Sequence, residues 1–278
     1  MTLSDWLIYA EDILEKAECY DSRLDAKLLA AGVLKKSPGE IRFLGNCALK
    51  DETLDILNQY LSRRAAGEPL QYIENTAYFM DFAFFVDENV LIPRQDTETL
   101  VELALEKIKG IKNPEVLDMC TGSGAIALSL AHYRKDARVT ASDISEDALN
   151  VAKKNAFLTG AKTEFVLSDL FNALAGRKFD LITVNPPYLT KEDMKSLQKE
   201  VKREPALALY GGEDGLDIYR RIAREIYRFL SPGGYALLEV GQGQAKDVLA
   251  LLSNENTSES GIEKDLCGID RVVWIRSL

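Results

Sequence analysis

Four consecutive residues, Asn185-Pro186-Pro187-Tyr188, combine side chains suited to one kind of chemistry. Each proline fixes φ and lacks an N–H donor, so the chain is stiff there and its carbonyl oxygens can point outward without a local partner. The Asn185 side chain adds a further carbonyl acceptor. Such a cluster suits a planar NH2 group. The lone pair of an amide nitrogen is delocalised into its carbonyl, so the nitrogen attacks poorly. Two acceptors that hold both N–H bonds orient it and stabilise the positive charge that grows as it takes a methyl group. The Tyr188 ring is of a kind to pack on the planar group and face a cationic sulfonium. No strong base is needed beforehand, because the proton becomes acidic only after transfer. Taken alone, the tetrapeptide also reads as a proline-rich turn after a strand.

A second group of residues lies upstream. The apolar run Glu115–Met119 leads into Cys120-Thr121-Gly122-Ser123-Gly124 and then a helical stretch. Glycines let the backbone turn tightly and approach a ligand, and the helix start offers free N–H groups. Asp143 ends the next strand, about twenty residues on, where a carboxylate can accept from both ribose hydroxyls of a nucleoside. Gly122-x-Gly124-x-x-Ala127 also fits the loose dinucleotide fingerprint. This segment by itself therefore leaves an NAD-linked dehydrogenase and a methyltransferase both open. Two acids favour the second. Asp118, just before the loop, suits the ammonium of a methionine moiety better than a pyrophosphate. Asp169 ends the third strand, placed to accept from an adenine amino group. With Asn185–Tyr188 downstream, the expected cofactor is S-adenosylmethionine.

These residues need a scaffold. From Pro114 onward strands and helices alternate: strands at 115–119, 138–143, 163–169, 178–185, 235–240 and in the tail RVVWIRS, with amphipathic helices between. Alternation of this kind predicts a mainly parallel α/β sheet covered on both faces, Rossmann-like and of the class I methyltransferase type, with ligands at the carboxyl ends of its strands. Ahead of it, Leu3, Trp6, Leu7, Ala10, Ile13 and Leu14 recur at helical spacing. Ser22 and Asp51 are placed to cap two further helices, and Gly67 to end the last. The expected organisation is a helical substrate-binding domain over 1–72, a β-hairpin linker over 73–95 within AYFMDFAFFVDENVLIP, and a methyltransferase domain over 96–278 whose first helix Asp96 caps.

The chain has 278 residues and a net charge of −10, a poor balance for general phosphate-backbone binding. A nucleic acid is not expected as direct substrate. Cys19, Cys47, Cys120 and Cys267 form no C-x-x-C pair, so neither a metal site nor a disulfide framework is expected, and reduced thiols fit a cytoplasm. The start lacks a basic region followed by an apolar block, so no signal peptide is read, and no run is long enough to span a bilayer. The lone histidine, His132, reads as an ordinary helix-end residue. Glu204 and Asp214 receive no role, since acidic loop residues are usually solvated.

At these residues the chain resembles the release factor glutamine methyltransferases, the HemK family. The resemblance also covers Arg63-Arg64-x-x-Gly67-Glu68-Pro69-Leu70-Gln71-Tyr72-Ile73, Val90-Leu91-Ile92-Pro93-Arg94-Gln95-Asp96-Thr97-Glu98, Glu204–Leu209 and Gly211–Leu216. It implies N5-methylation of the glutamine in the Gly-Gly-Gln loop of peptide chain release factors, with a helical N-terminal domain that helps hold the release factor. It further implies that Cys120–Gly124 and Asp143 contact S-adenosylmethionine and that Leu170 lies near the adenine. Asn185 would then meet both cofactor and substrate, with Pro186, Pro187 and Tyr188 completing the glutamine pocket. Two residues depart from the family pattern: Cys120 stands where glycine is usual, and Leu170 where an aromatic is common. The rival reading is an amino-group methyltransferase acting on adenine in DNA or a base in rRNA, which would use the same tetrapeptide on a flipped base.

Overall fold

The computed structural model describes residues 1–278, which form two compact units. Met1–Thr76 with Gln198–Arg203 make the first, and Ala77–Leu197 with Glu204–Leu278 the second.

The first unit is helical: α1 (Leu3–Lys16), α2 (Ser22–Leu34), α3 (Pro38–Ile41), α4 (Asp51–Ala65) and α5 (Leu70–Ile73). Leu3, Trp6, Ala10 and Leu14 form the buried stripe of α1, and Trp6 donates its indole N–H to Asn58 at 3.0 Å. Thr2 and Asp5 close a reciprocal capping box at its start. Two expected caps lie one residue away. Asp21, not Ser22, caps α2 by accepting from the Leu24 amide. Asp51 is the first residue inside α4, after Lys50, where its charge favours the positive helix end. The one-turn helices α3 and α5 carry too few residues to show a period. Arg64 is buried and donates to Asp25 at 2.7 Å and to Glu200 at 2.6 Å, which ties 198–203 to this unit.

The second unit opens with the hairpin β1 (Ala77–Phe79) and β2 (Phe82–Phe84). It is not a free-standing linker: Phe79 and Phe84 are buried in the core of this unit, each such side chain contributing roughly 1.5–3 kcal/mol. A 3-10 turn, Gln95–Thr97, leads into α6 (Glu98–Lys107), and Asp96 makes no cap there. Instead its carboxylate accepts from Arg271 at 3.0 Å.

Then follow β3 (Glu115–Met119), α7 (Ala125–Tyr133), β4 (Arg138–Asp143), α8 (Glu146–Thr159), β5 (Thr163–Leu167) and β6 (Phe179–Val184). After them come α9 (Lys191–Ser196), α10 (Ala206–Leu209), α11 (Asp217–Glu225), β7 (Leu230–Glu239), α12 (Ala245–Leu252), β8 (Thr257–Lys264) and β9 (Asp270–Ser277). The seven-stranded sheet runs β5-β4-β3-β6-β7-β9-β8, and β9 alone runs against the others, pairing antiparallel with both β7 and β8. Alternate strand residues feed two apolar layers. Leu117, Ile182 and Leu238 face the α11–α12 side, and Val116, Leu181 and Leu237 the α6–α7 side. Two expectations change here. β7 starts at Leu230 and takes in Ser231-Pro-Gly-Gly, five residues ahead of the expected start at 235. β8 was not foreseen, because TSESGIEK is an exposed edge strand with almost no apolar pattern. No helix is long and apolar enough to cross a membrane.

Candidate active site

A cavity of about 210 Å³ opens in the second unit where β3, β4 and β6 end. Parallel strands leave their carboxyl ends there, and the order reverses between β3 and β6. The turn after β3 is bent by three positive φ angles, at Cys120 (59°), Gly122 (53°) and Gly124 (82°). A Cβ on Gly122 would meet nothing within 4 Å, so the loop leaves that space open. A Cβ on Gly124 would come within 3.1 Å of Ala152 and Leu128, so this glycine lets α7 pack closely on α8.

Asp143 projects from the end of β4. Its carboxylate accepts from the Gly122 amide at 2.9 Å and the Ser145 amide at 3.0 Å, which fixes its orientation. Burial raises its pKa above the usual carboxylate range. Asp143, Cys120, Thr121, Gly122, Ser123 and Leu170 all line the cavity. Leu170 does so from a left-handed backbone (φ 51°), which turns the chain after β5 toward the opening. Burial and the Asp143, Asp118 and Asp169 carboxylates push the Cys120 thiol well up, so it is a packed residue rather than a thiolate.

Asp118 is placed differently from expectation. It is fully buried beneath the loop and absent from the cavity wall, accepting from the Thr121 hydroxyl at 2.6 Å and the Thr183 hydroxyl at 2.9 Å. Burial pushes its carboxyl up to about 7. Through the Thr121 hydroxyl it holds the loop from beneath. Asp169 does line the cavity, but both its oxygens accept from Arg221, at 2.8 and 2.7 Å, so it presents an ion pair rather than a bare acid.

Asn185 and Pro187 line the cavity on the β6 side. The carbonyls of Pro186 and Pro187 accept no backbone hydrogen bond. The Asn185 amide donates to the Thr97 hydroxyl at 3.4 Å. Pro186 is buried and outside the wall. Tyr188 also lies outside it, contrary to the expectation that its ring faces the reacting group. The ring packs on the apolar layer beside α11 and α12, close to Gly241, and its carbonyl accepts from Gln244 at 3.0 Å. Burial and the Glu239 carboxylate push its phenol up to about 12.

Several wall residues received no role from the sequence. Thr97 and Arg94 come from the segment preceding α6, Phe79 from the hairpin and Arg221 from α11. The only signal for the first two was their place in Val90–Glu98. Glu204, read as solvated, is buried: it accepts from the Ile92 amide at 3.0 Å and pairs with Arg94, holding that segment at the rim. Asp214 is exposed and paired with Arg220. His132 stacks edge-on against Phe82 at 4.7 Å, at the helix end and outside the cavity wall.

Residues 95–236 match the Methyltransferase small domain family and residues 5–74 the PrmC N-terminal domain. A release factor glutamine methyltransferase from Clostridium acetobutylicum is 38% identical over 98% of each chain. Another, from Moorella thermoacetica, is 45% identical over 77% of this chain and 76% of its own length. Among solved structures, the Thermus thermophilus 16S rRNA N2 G1207 methyltransferase, in complex with AdoMet and guanosine, superposes with a TM-score of 0.52 at 20% identity. That match covers 73% of this chain and 50% of the other. A Pyrococcus furiosus methyltransferase gives 0.51 at 13% identity, over 82% of this chain and 98% of its own. These two likenesses establish a class I methyltransferase fold.

Proposed function

This chain belongs to the release factor glutamine methyltransferase family, and from that premise we propose that it methylates the N5 amide nitrogen of the glutamine in the Gly-Gly-Gln loop of peptide chain release factors, using S-adenosylmethionine. One observation carries the reading: Asn185 and Pro187 share a single cavity wall with the loop 120–123 and Asp143. An acceptor cluster for a flat amide and a carboxylate suited to a ribose thus open on one space.

The residues present fit the cofactor. Asp143 is held by two amides with its carboxylate at the wall, Gly122 leaves open room, and Ile126, Ile144 and Leu170 supply apolar surface for a purine. Bound there, S-adenosylmethionine supplies an electrophilic methyl carbon on a cationic sulfonium. The chain orients the acceptor: the Asn185 side-chain carbonyl and the main chain at Pro187 hold the two N–H bonds of the substrate amide and offset the charge that develops on nitrogen. The helical unit, which matches the PrmC N-terminal domain, is the part we assign to holding the release factor, and a translation-factor substrate places the work in the cytoplasm.

The test is incubation with labelled S-adenosylmethionine and purified release factor, followed by mass-spectrometric mapping. The label should sit on the Gly-Gly-Gln glutamine. Asn185→Ala should lower the rate roughly 10²–10³-fold, as for loss of one preorganised polar group. Label on nucleic acid instead, or near-normal turnover by Asn185→Ala, would overturn the reading.

A further inference from the structure

Asn155 on α8 is a fully buried polar residue, 0% exposed, that the reading above does not use. Its side-chain amide makes three hydrogen bonds. Oδ1 accepts from the Phe85 amide at 2.7 Å, and Nδ2 donates to the Phe85 carbonyl and to the Ser123 carbonyl, each at 2.9 Å. These partners fix its orientation: flipped, the amide would set its oxygen against two carbonyls and its NH2 against an N–H. Phe85 follows β2, at the exit of the hairpin, and Ser123 belongs to the loop after β3. One side chain therefore ties together two pieces of backbone that no strand pairing joins. Gly124 makes this reach possible. A Cβ there would meet Ala152, one turn before Asn155 on α8, at 3.1 Å, so the missing Cβ lets α8 sit close enough for Asn155 to bond the loop.

The two pieces serve different parts of the cavity. Ser123 lines it with the loop assigned to the cofactor. The chain leaving Phe85 becomes the wall next to Asn185: Val90, Leu91, Pro93, Arg94 and Thr97 line the cavity, and Thr97 accepts from the Asn185 amide at 3.4 Å. Residues 85–94 contain no helix or strand, so side chains hold them at points, Asn155 at Phe85 and Glu204 at the Ile92 amide. We propose that Asn155 is a positioning residue that couples the cofactor loop to this wall, so that a filled cofactor site pre-organises residues 85–97 for the release factor. The coupling presupposes the cofactor and substrate assigned above. It follows from shared restraint. An occupied loop moves less, its Ser123 carbonyl holds Nδ2 more firmly, and Phe85 loses freedom. A substrate that meets an ordered wall then has less ordering left to impose, which favours its binding. By linkage, the release factor tightens the cofactor by the same factor.

Phe85 does not line the cavity, so a change at its amide on cofactor binding must arrive through the protein. Hydrogen exchange of the full chain, with and without saturating S-adenosylhomocysteine, reads that change. Exchange at the Phe85 amide should slow at least about fivefold, and release-factor affinity by calorimetry should rise roughly 5–150-fold, the usual span of coupling between two sites. Asn155→Ala should still bind S-adenosylhomocysteine but lose most of both effects. Asn155→Asp, which keeps an acceptor for the Phe85 amide but offers no donor to Ser123, should lose them as well. The measurements on the natural chain decide the coupling whether or not these variants fold. Indifference of either quantity to S-adenosylhomocysteine would overturn the coupling, and full coupling in Asn155→Ala would overturn the role of Asn155. Failure of S-adenosylhomocysteine or of the release factor to bind at all would instead overturn the reading beneath it.

Discussion

Cys120 occupies a left-handed backbone position (φ 59°) that a residue with a Cβ enters only at a cost of order 1–2 kcal/mol. Its thiol is pushed up by burial and by neighbouring carboxylates. Iodoacetamide near neutral pH should therefore modify the exposed Cys47 and Cys267 well before Cys120, as peptide mapping would show. Faster labelling of Cys120 would mean that the loop opens in solution. Asp143 gives a complementary expectation. Removing its carboxylate deletes the acceptor proposed for the ribose and orphans the Gly122 and Ser145 amides. Asp143→Ala should weaken S-adenosylmethionine binding in calorimetry by about 1.5–3 kcal/mol, the range for a hydrogen bond to a charged group. Unchanged affinity would place the nucleoside elsewhere.

Among the elements, the segment 198–203 shows how a sequence-distant piece joins a helical unit. Arg64 on α4 pairs with Asp25 on α2 and with Glu200, and both Arg64 and Asp25 are buried. Removing one partner of a buried pair leaves an uncompensated charge, which typically costs about 3–5 kcal/mol. Arg64→Ala should lower the urea midpoint of the helical unit accordingly. It should also speed amide exchange across 198–203, while exchange in β3 and β4 stays slow. At the hairpin, apolar burial does the corresponding work. Phe84 is fully buried and meets Phe79 edge-on at 6.2 Å, so Phe84→Ala should cost about 3–5 kcal/mol in denaturant unfolding.

For the molecule as a whole, buried acids set the response to pH. Asp118 and Glu239 are both pushed up to about 7 by burial, well above their ordinary values. A carboxyl whose folded pKa is raised binds an extra proton in the native state between its unfolded and folded pKa values. The stability it contributes is therefore present below about 4 and lost as pH rises through about 7. Asp136 and Asp214, held near 2 by arginines, act oppositely but only in stronger acid. Unfolding free energy from urea titrations should thus decline from pH 5.5 to pH 7.5, and Glu239→Gln should reduce the slope.

Local chemistry made much of this protein legible in its amino-acid order. Strands 115–119 and 138–143 and the helical stretch after the glycine loop match the structure because period and glycine turns act within a few residues. Residues 120–123, Asp143, Asn185 and Pro187 could be nominated because strand ends converge by topology, whereas Leu170 came only from the family resemblance. Side-chain direction was another matter. Asp118 points under its loop and Tyr188 into an apolar layer because neighbouring hydroxyls and packed helices, distant in sequence, decide where each can be satisfied. Thr97, Arg94 and Glu204 were silent for the same reason: an isolated polar residue acquires a role only when the fold removes water from around it and leaves it one partner. Strand β8 owes its existence to pairing with β9 rather than to any pattern of its own.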